Sequence, residues 1–134
     1  MKVLVIEDDM LVTDILKEYL EEAGYSYECA ANGKEGLKKL EASGKEFDVI
    51  LLDRMMPEMD GMEFMDRLES NTSLAKVPVI MQTAAGSVPE VIEGSRTGIY
   101  YYMTKPYTEE LLLSVLRSAH EHGGKSMANQ ASVN

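Results

Sequence analysis

Short, near-continuous apolar runs alternate along the chain with segments whose apolar residues recur at helical spacing. The runs occupy residues 3–6, 47–52, 77–81 and 99–103, with a weaker one at 25–29. Runs that lack polar alternation suit strands covered on both faces, as in a parallel sheet. Between them, Leu11, Ile15, Leu16, Tyr19, Leu20 and Ala23 fall on one helical face that closes at Gly24. Leu111, Leu112, Val115, Leu116 and Ala119 form a second such face near the end.

Helix starts are marked by capping chemistry as well as by period. Asn32 with Glu35, and Ser87 with Glu90, have the spacing of a capping box; Asp60 precedes Gly61 as a third cap. Thr108 caps the last helix, with Glu109 and Glu110 at the positive end of its dipole and Tyr107 placed to staple onto Leu112. The pattern is (βα)5. Parallel neighbours need right-handed crossover helices, so the fold class predicted is α/β, a doubly wound five-stranded parallel sheet of order 2-1-3-4-5, flavodoxin-like. Residues 1–122 make one domain; 123–134, small and polar without periodicity, read as a disordered tail or the stub of a linker.

Composition narrows the function classes. The 134 residues carry a formal charge of −10, which argues against unaided binding to nucleic acid or an anionic membrane surface. No apolar run approaches the ~20 residues of a membrane span, the start does not resemble a signal peptide, and a cytoplasmic location is expected. The single cysteine, Cys29, fits a reducing compartment and a core role. His120 and His122 are two apart and cannot chelate as an i, i+4 pair could. Acidic residues concentrate in the first half. Helix surfaces account for most of them, but not for Glu7, Asp8 and Asp53 at the ends of apolar runs.

In an open α/β sheet, ligands bind at the carboxyl ends of the strands. Strand 1 ends in Glu7, Asp8 and Asp9, strand 3 in Asp53 and strand 4 in Thr83, while strand 5 leads into Lys105. Asp9 is better placed to start the helix than to bind a metal. Crowded carboxylates call for a hard cation, and Mg²⁺ suits a site that also handles phosphate. Asp53, on the central strand, can then act as a nucleophile towards phosphorus beside Lys105 and the Thr83 hydroxyl.

The sequence resembles the receiver domain of two-component response regulators over nearly its whole length. The pieces that carry the resemblance are VLVIEDD (3–9), DVILLDRMMPEMDG (48–61), PVIMQTAAG (78–86) and YYMTKPY (101–107). It implies Asp53 as phosphoacceptor, and Mg²⁺ held by Glu7, Asp8, Asp53 and the backbone carbonyl of Met55. It also implies Thr83 as the hydroxyl that turns toward the phosphoryl group, Lys105 as its cation, Tyr102 as an aromatic switch and a cis Lys105-Pro106 bond. Such a domain catalyses its own phosphorylation and slow dephosphorylation and is not a turnover enzyme. The donor would be a histidine kinase or phosphotransfer protein, and the output face the fourth helix, fifth strand and fifth helix, contacting a downstream protein, an effector domain or a second copy.

Two positions depart from the usual pattern. Met55 and Ala85, at the places that flank the path of hydrolytic water, offer nothing to orient it, so a slowly hydrolysing aspartyl phosphate is expected. Strand alternation places Tyr100 and Tyr102 on one face and Tyr101 on the other. Ile99, Tyr100 and Tyr101 are expected either as exposed aromatics for protein recognition or as a better-packed strand. An alternative function is a Mg-dependent phosphatase with an aspartate nucleophile. That chemistry wants a second Asp where Met55 stands. A flavin-binding electron carrier would want hydroxyls and amides in place of Glu7, Asp8 and Asp9.

Overall fold

A computed structural model of the chain describes residues 1–43, 46–71, 74, 76–84 and 98–122. The strands are β1 (Lys2–Ile6), β2 (Ser26–Ala30), β3 (Val49–Asp53), β4 (Val79–Thr83) and β5 (Ile99–Thr104). The described helices are α1 (Met10–Glu22), α2 (Gly33–Ser43), α3 (Gly61–Glu69) and α4 (Glu109–His122). All four strand pairings are parallel, and the order is β2-β1-β3-β4-β5, as the run-and-helix pattern predicts. The helix expected from Ser87 and Glu90, and the tail at 123–134, lie outside the described residues. Among the described residues no helix is long and apolar enough to cross a membrane.

Alternation along the strands divides the core in two. Leu4, Ile6, Ile50, Leu52, Val79, Met81 and Ile99 face α2 and α3, where Leu40, Phe64, Met65 and Leu68 complete the layer. Val3, Val5, Val49, Leu51, Ile80 and Met103 face α1 and α4, meeting Leu16, Leu20, Leu112, Leu116 and Ala119. The three central strands bury every residue in β3 and β4 and all but Lys2 in β1, which explains runs with no polar interruption. Cys29 packs partly buried against the second layer, and burial raises its thiol pKa.

The caps form where the residues predict them. Asp9 accepts the N–H groups of Leu11 and Val12 at 2.9 and 3.4 Å, Asp60 that of Glu63 at 2.9 Å, and Thr108 Oγ1 that of Leu111 at 3.1 Å. Asn32 accepts from Glu35 N–H at 2.9 Å; the returning Glu35 carboxylate takes the N–H of Ala31, one residue before the cap. α1 ends in a Schellman arrangement, with Gly24 N–H on Glu21 O, Tyr25 N–H on Leu20 O, and Gly24 at φ +79°. His122 Nδ1 turns back to Ser118 O at 2.9 Å, while His120 Nδ1 faces Asp48 Oδ1 at 3.7 Å, so the two rings go separate ways.

Two expectations need correction. Leu11 and Ile15 do not bury with the rest of α1: they are 75% and 49% exposed. They share a helical row with Glu18 and Glu22, three or four residues apart, and this row lies well round the helix from the buried line of Leu16 and Leu20, with Val12 and Tyr19 between. In β5, strict alternation fails. Val79 pairs with Ile99 but Ile80 pairs with Tyr101, so Tyr100 is an extra residue, a β-bulge. The bulge resets the phase: Tyr100 and Tyr101 both pack toward α1 and α4, and Tyr102 alone packs toward α2 and α3. Tyr100 is 3% exposed, with its hydroxyl against Ser118 Oγ, so it fastens α4 to the sheet and is not a recognition residue.

Candidate functional site

The carboxyl ends of β1 and β3 deliver the acidic residues side by side. Glu7 follows β1 and hands its N–H to Ala30 O at 3.0 Å, which fixes the backbone just as it leaves the sheet. Asp53 ends β3, and the Arg54 N–H that follows it donates to Gln82 O of β4 at 2.9 Å. Glu7, Asp8 and Asp53 each offer one oxygen, and these oxygens lie within 4.8 Å of one another. Glu7 and Asp53 are buried and Asp8 is exposed, so the cluster has a closed floor and an open side.

Lys105 reaches the cluster from the loop after β5. Its Nζ lies 3.1 Å from Glu7 Oε1 and 3.6 Å from Asp53 Oδ1. The loop is tied to β4 by Lys105 N–H on Thr83 O at 2.8 Å, and the Lys105-Pro106 peptide is cis, as the resemblance implies. Burial, then the neighbouring Asp53 carboxylate, push Glu7 up to about 7 despite Lys105. One ammonium therefore does not satisfy two buried carboxylates and a third at their rim. A hard divalent ion with oxygen ligands matches this donor set, since it takes carboxylates and keeps water on the open side.

Thr83 ends β4, 2% exposed, and its hydroxyl has no hydrogen-bond partner among the described residues. By alternation it lies on the face of Met81 and Tyr102, which pair across β4 and β5. Met55 lies on the rim, 62% exposed, and donates its N–H to Asp53 Oδ1 at 3.3 Å. The loop that carries it closes tightly on α3: a Cβ on Gly61 would stand 2.9 Å from Arg54 Cα and 2.9 Å from Met81 Sδ. Asp9 caps α1 and gives its N–H to Glu7 Oε2 at 3.2 Å, so it orients the cluster from behind. Ala84 is exposed beside Thr83; Ala85 lies outside the described residues.

Sequence reasoning missed Gln82. It is fully buried, pairs with Asp53 across β3 and β4, and accepts a hydrogen bond from the Tyr107 hydroxyl. The available signal was an amide interrupting an otherwise apolar run, one residue before Thr83.

The response regulator receiver domain model matches residues 3–117. Over 115 residues the chain is 35% identical to a probable transcriptional regulator, ycf29, of Porphyra purpurea, covering 86% of this chain and 54% of that one. It is 34% identical to the chemotaxis protein CheY1 of Helicobacter pylori over 113 residues, 84% of this chain and 90% of that one. Among solved structures, a response regulator receiver domain protein of Clostridium thermocellum superposes with a TM-score of 0.82 at 27% identity, covering 90% and 94% of the two chains. CheY4 of Vibrio cholerae does so at 0.78 and 32%, covering 87% and 96%. The chain spans about half the length of several of the curated relatives it matches and nearly all of CheY1. A sheet of order 2-1-3-4-5 with an acidic cluster and a lysine at its carboxyl edge, matched across residues 3–117, places the chain in the receiver domain family of two-component response regulators.

Proposed function

We propose that Asp53 accepts a phosphoryl group and that the aspartyl phosphate switches the surface this chain presents to a partner. The observation that carries this reading is the convergence of Glu7, Asp8, Asp53 and Lys105 from separate strands onto one half-open site. Glu7, Asp8, Asp53 and the Met55 carbonyl would hold Mg²⁺. When bound, the ion offsets the carboxylate charge and gives phosphoryl oxygens a positive partner. A carboxylate oxygen of Asp53 attacks phosphorus in line, the new O–P bond forms as the donor's bond breaks, and the leaving group departs through the open side. Lys105, already paired to Asp53, moves its ammonium onto a phosphoryl oxygen.

Thr83 supports the switch half of the proposal. A buried hydroxyl without a described partner costs free energy until it finds an acceptor, and a phosphoryl oxygen on Asp53 supplies one. Its movement would free space on the face it shares with Tyr102, shifting β5, the segment before it and α4 toward a partner-binding population. The expected output is contact with a downstream protein or an effector domain, or pairing with a second copy. Residues 1–122 form the working unit in this reading, with 123–134 as tail or linker. The test is incubation with acetyl phosphate and Mg²⁺, followed by intact mass and sizing. The parent should gain one phosphoryl group and Asp53→Asn none; no gain in the folded parent contradicts the reading.

A histidine kinase or phosphotransfer protein as natural donor is supported by the site's rim. Met10, Leu11, Ile15 and Met55 are 78%, 75%, 49% and 62% exposed, on the helix that follows the β1 end of the site and on the loop that follows Asp53. We expect Leu11→Asp with Ile15→Asp to cut transfer from a phosphohistidine protein at least tenfold, roughly the loss of one interface anchor, while the acetyl phosphate rate holds. Equal loss with both donors would remove the docking role.

Met55 bears on the lifetime of the phosphorylated form. Its thioether neither accepts a proton nor orients water, so hydrolysis should be slow, and Met55→Glu should shorten the lifetime by up to about 10²-fold, the lower end of positioned general-base catalysis. Phosphoprotein decay followed by mass in Mg²⁺ buffer decides this. A parent lifetime of seconds would contradict it.

A further inference from the structure

Gln82 is a buried amide in a strand where every other residue up to Thr83 is apolar, and the fold gives it two attachments. Its backbone carbonyl accepts the N–H of Arg54, the residue after Asp53, at 2.9 Å. Its side-chain Oε1 accepts the hydroxyl of Tyr107, two residues after Lys105. Register places Gln82 directly beside Asp53, and alternation puts both side chains on the face toward α1 and α4. One residue of β4 therefore touches the chain just behind the carboxylate and the loop just behind the ammonium.

We infer that the Gln82–Tyr107 hydrogen bond is a positioning brace that holds the Lys105 loop at its working distance from Asp53; this rests on the phosphoacceptor reading. The Lys105 ammonium itself pairs with Glu7 and Asp53, and among the described residues few other bonds fix the loop. Between the end of β5 at Thr104 and the start of α4 at Glu109 it has the backbone tie of Lys105 to Thr83 at its front and the Thr108 cap at its rear. Tyr107 lies between them, its ring partly buried with Tyr19 along a groove of about 240 Å³ between α1 and this loop. Burial, followed by the charges of Glu7, Tyr19 and Asp53, raises its phenol well above the ordinary range, so it stays a donor at working pH. An amide in an apolar layer is costly unless bonded. Gln82 Nε2 has no partner among the described residues, which leaves the Tyr107 hydroxyl as the side-chain bond the structure shows for this amide.

The experiment compares the parent, Tyr107→Phe, Gln82→Leu and the double variant. It reads the maximal rate of phosphoryl gain at saturating acetyl phosphate and Mg²⁺, the ¹³Cε signal of Lys105, and Tm. Each single variant should slow phosphoryl gain about three- to tenfold, the worth of one hydrogen bond expressed as a rate, and move the Lys105 signal. The double variant should be no slower than the slower single one, since both lose the same bond. Folded variants with lowered Tm but the parent's rate and Lys105 signal would overturn the brace and leave the pair a packing feature. If the parent gains no phosphoryl group, the phosphoacceptor reading fails first and the brace with it. A parent that is phosphorylated alongside unaffected variants sinks the brace alone.

Discussion

Lys105→Ala is expected to slow phosphoryl gain on Asp53 by about 10²–10³-fold, the loss seen when one preorganised donor to a developing negative charge is removed. The size follows from placement. Nζ sits 3.1 Å from a buried Glu7 and 3.6 Å from a buried Asp53, at the boundary between cluster and solvent, where an incoming phosphoryl oxygen has to be met. Water cannot replace it as a fixed positive charge. Lys105→Arg should recover little, because a broad planar guanidinium does not occupy the place of a compact ammonium. Stopped-flow or mass-based rates with acetyl phosphate check this, with Mg²⁺ titrated separately so that a weakened ion site is not mistaken for lost charge stabilisation. A rate within threefold of the parent's would place Lys105 outside the chemistry.

The second large effect concerns the fold that holds the site. Phe64→Ala should destabilise the domain by about 3–5 kcal/mol, the usual cost of removing a fully buried aromatic ring. Phe64 is 0% exposed on α3, in the layer with Ile6, Leu52 and Met81, and its ring edge lies close to Gly36 of α2. No neighbour can fill the space without giving up its own packing: Ile6 already lies so near Gly36 that a Cβ there would come within 2.5 Å of its Cδ1. Urea unfolding followed by circular dichroism measures the loss. A change below about 1 kcal/mol, within the range of an ordinary surface substitution, would mean the layer relaxes around the void. Below its melting point the variant should still be phosphorylated, because Asp53 and Lys105 are held from the other face of the sheet.

Much of this was legible in the residues. Buried parallel strands wrote themselves as apolar runs, and caps at Asp9, Asn32, Asp60 and Thr108 marked the helix starts. Strand order then brought Glu7, Asp8, Asp53 and Lys105 together, because ligand sites of this architecture collect at strand ends. What could not be read was phase and depth. The bulge at Tyr100 inserts one residue whose effect depends on pairing with β4, so a rule of simple alternation put Tyr100 on the wrong face. Leu11 and Ile15 continue the apolar arc of α1 but lie at its outer edge, away from the buried Leu16 and Leu20. Glu18 and Glu22 on the same row were the local signal that it faces solvent, and the depth of burial was set only once the sheet was in place. Gln82 was invisible for a related reason: its meaning comes from Asp53 and Tyr107, residues distant in sequence that meet it only through register and a loop.

The acidic character that first set this chain apart has a defined centre in the fold. Most of the charge coats helices, but three carboxylates share a crevice with one lysine, and that arrangement is better suited to receiving a phosphoryl group than to binding a polyanion. The most direct measurement is to phosphorylate the intact chain with acetyl phosphate and Mg²⁺, reduce the acyl phosphate with borohydride, and locate the modified residue by peptide mass. Conversion confined to residue 53 is the predicted result. A modification at any other carboxylate, or a folded protein that carries none, would contradict the assignment of Asp53 as the phosphoacceptor.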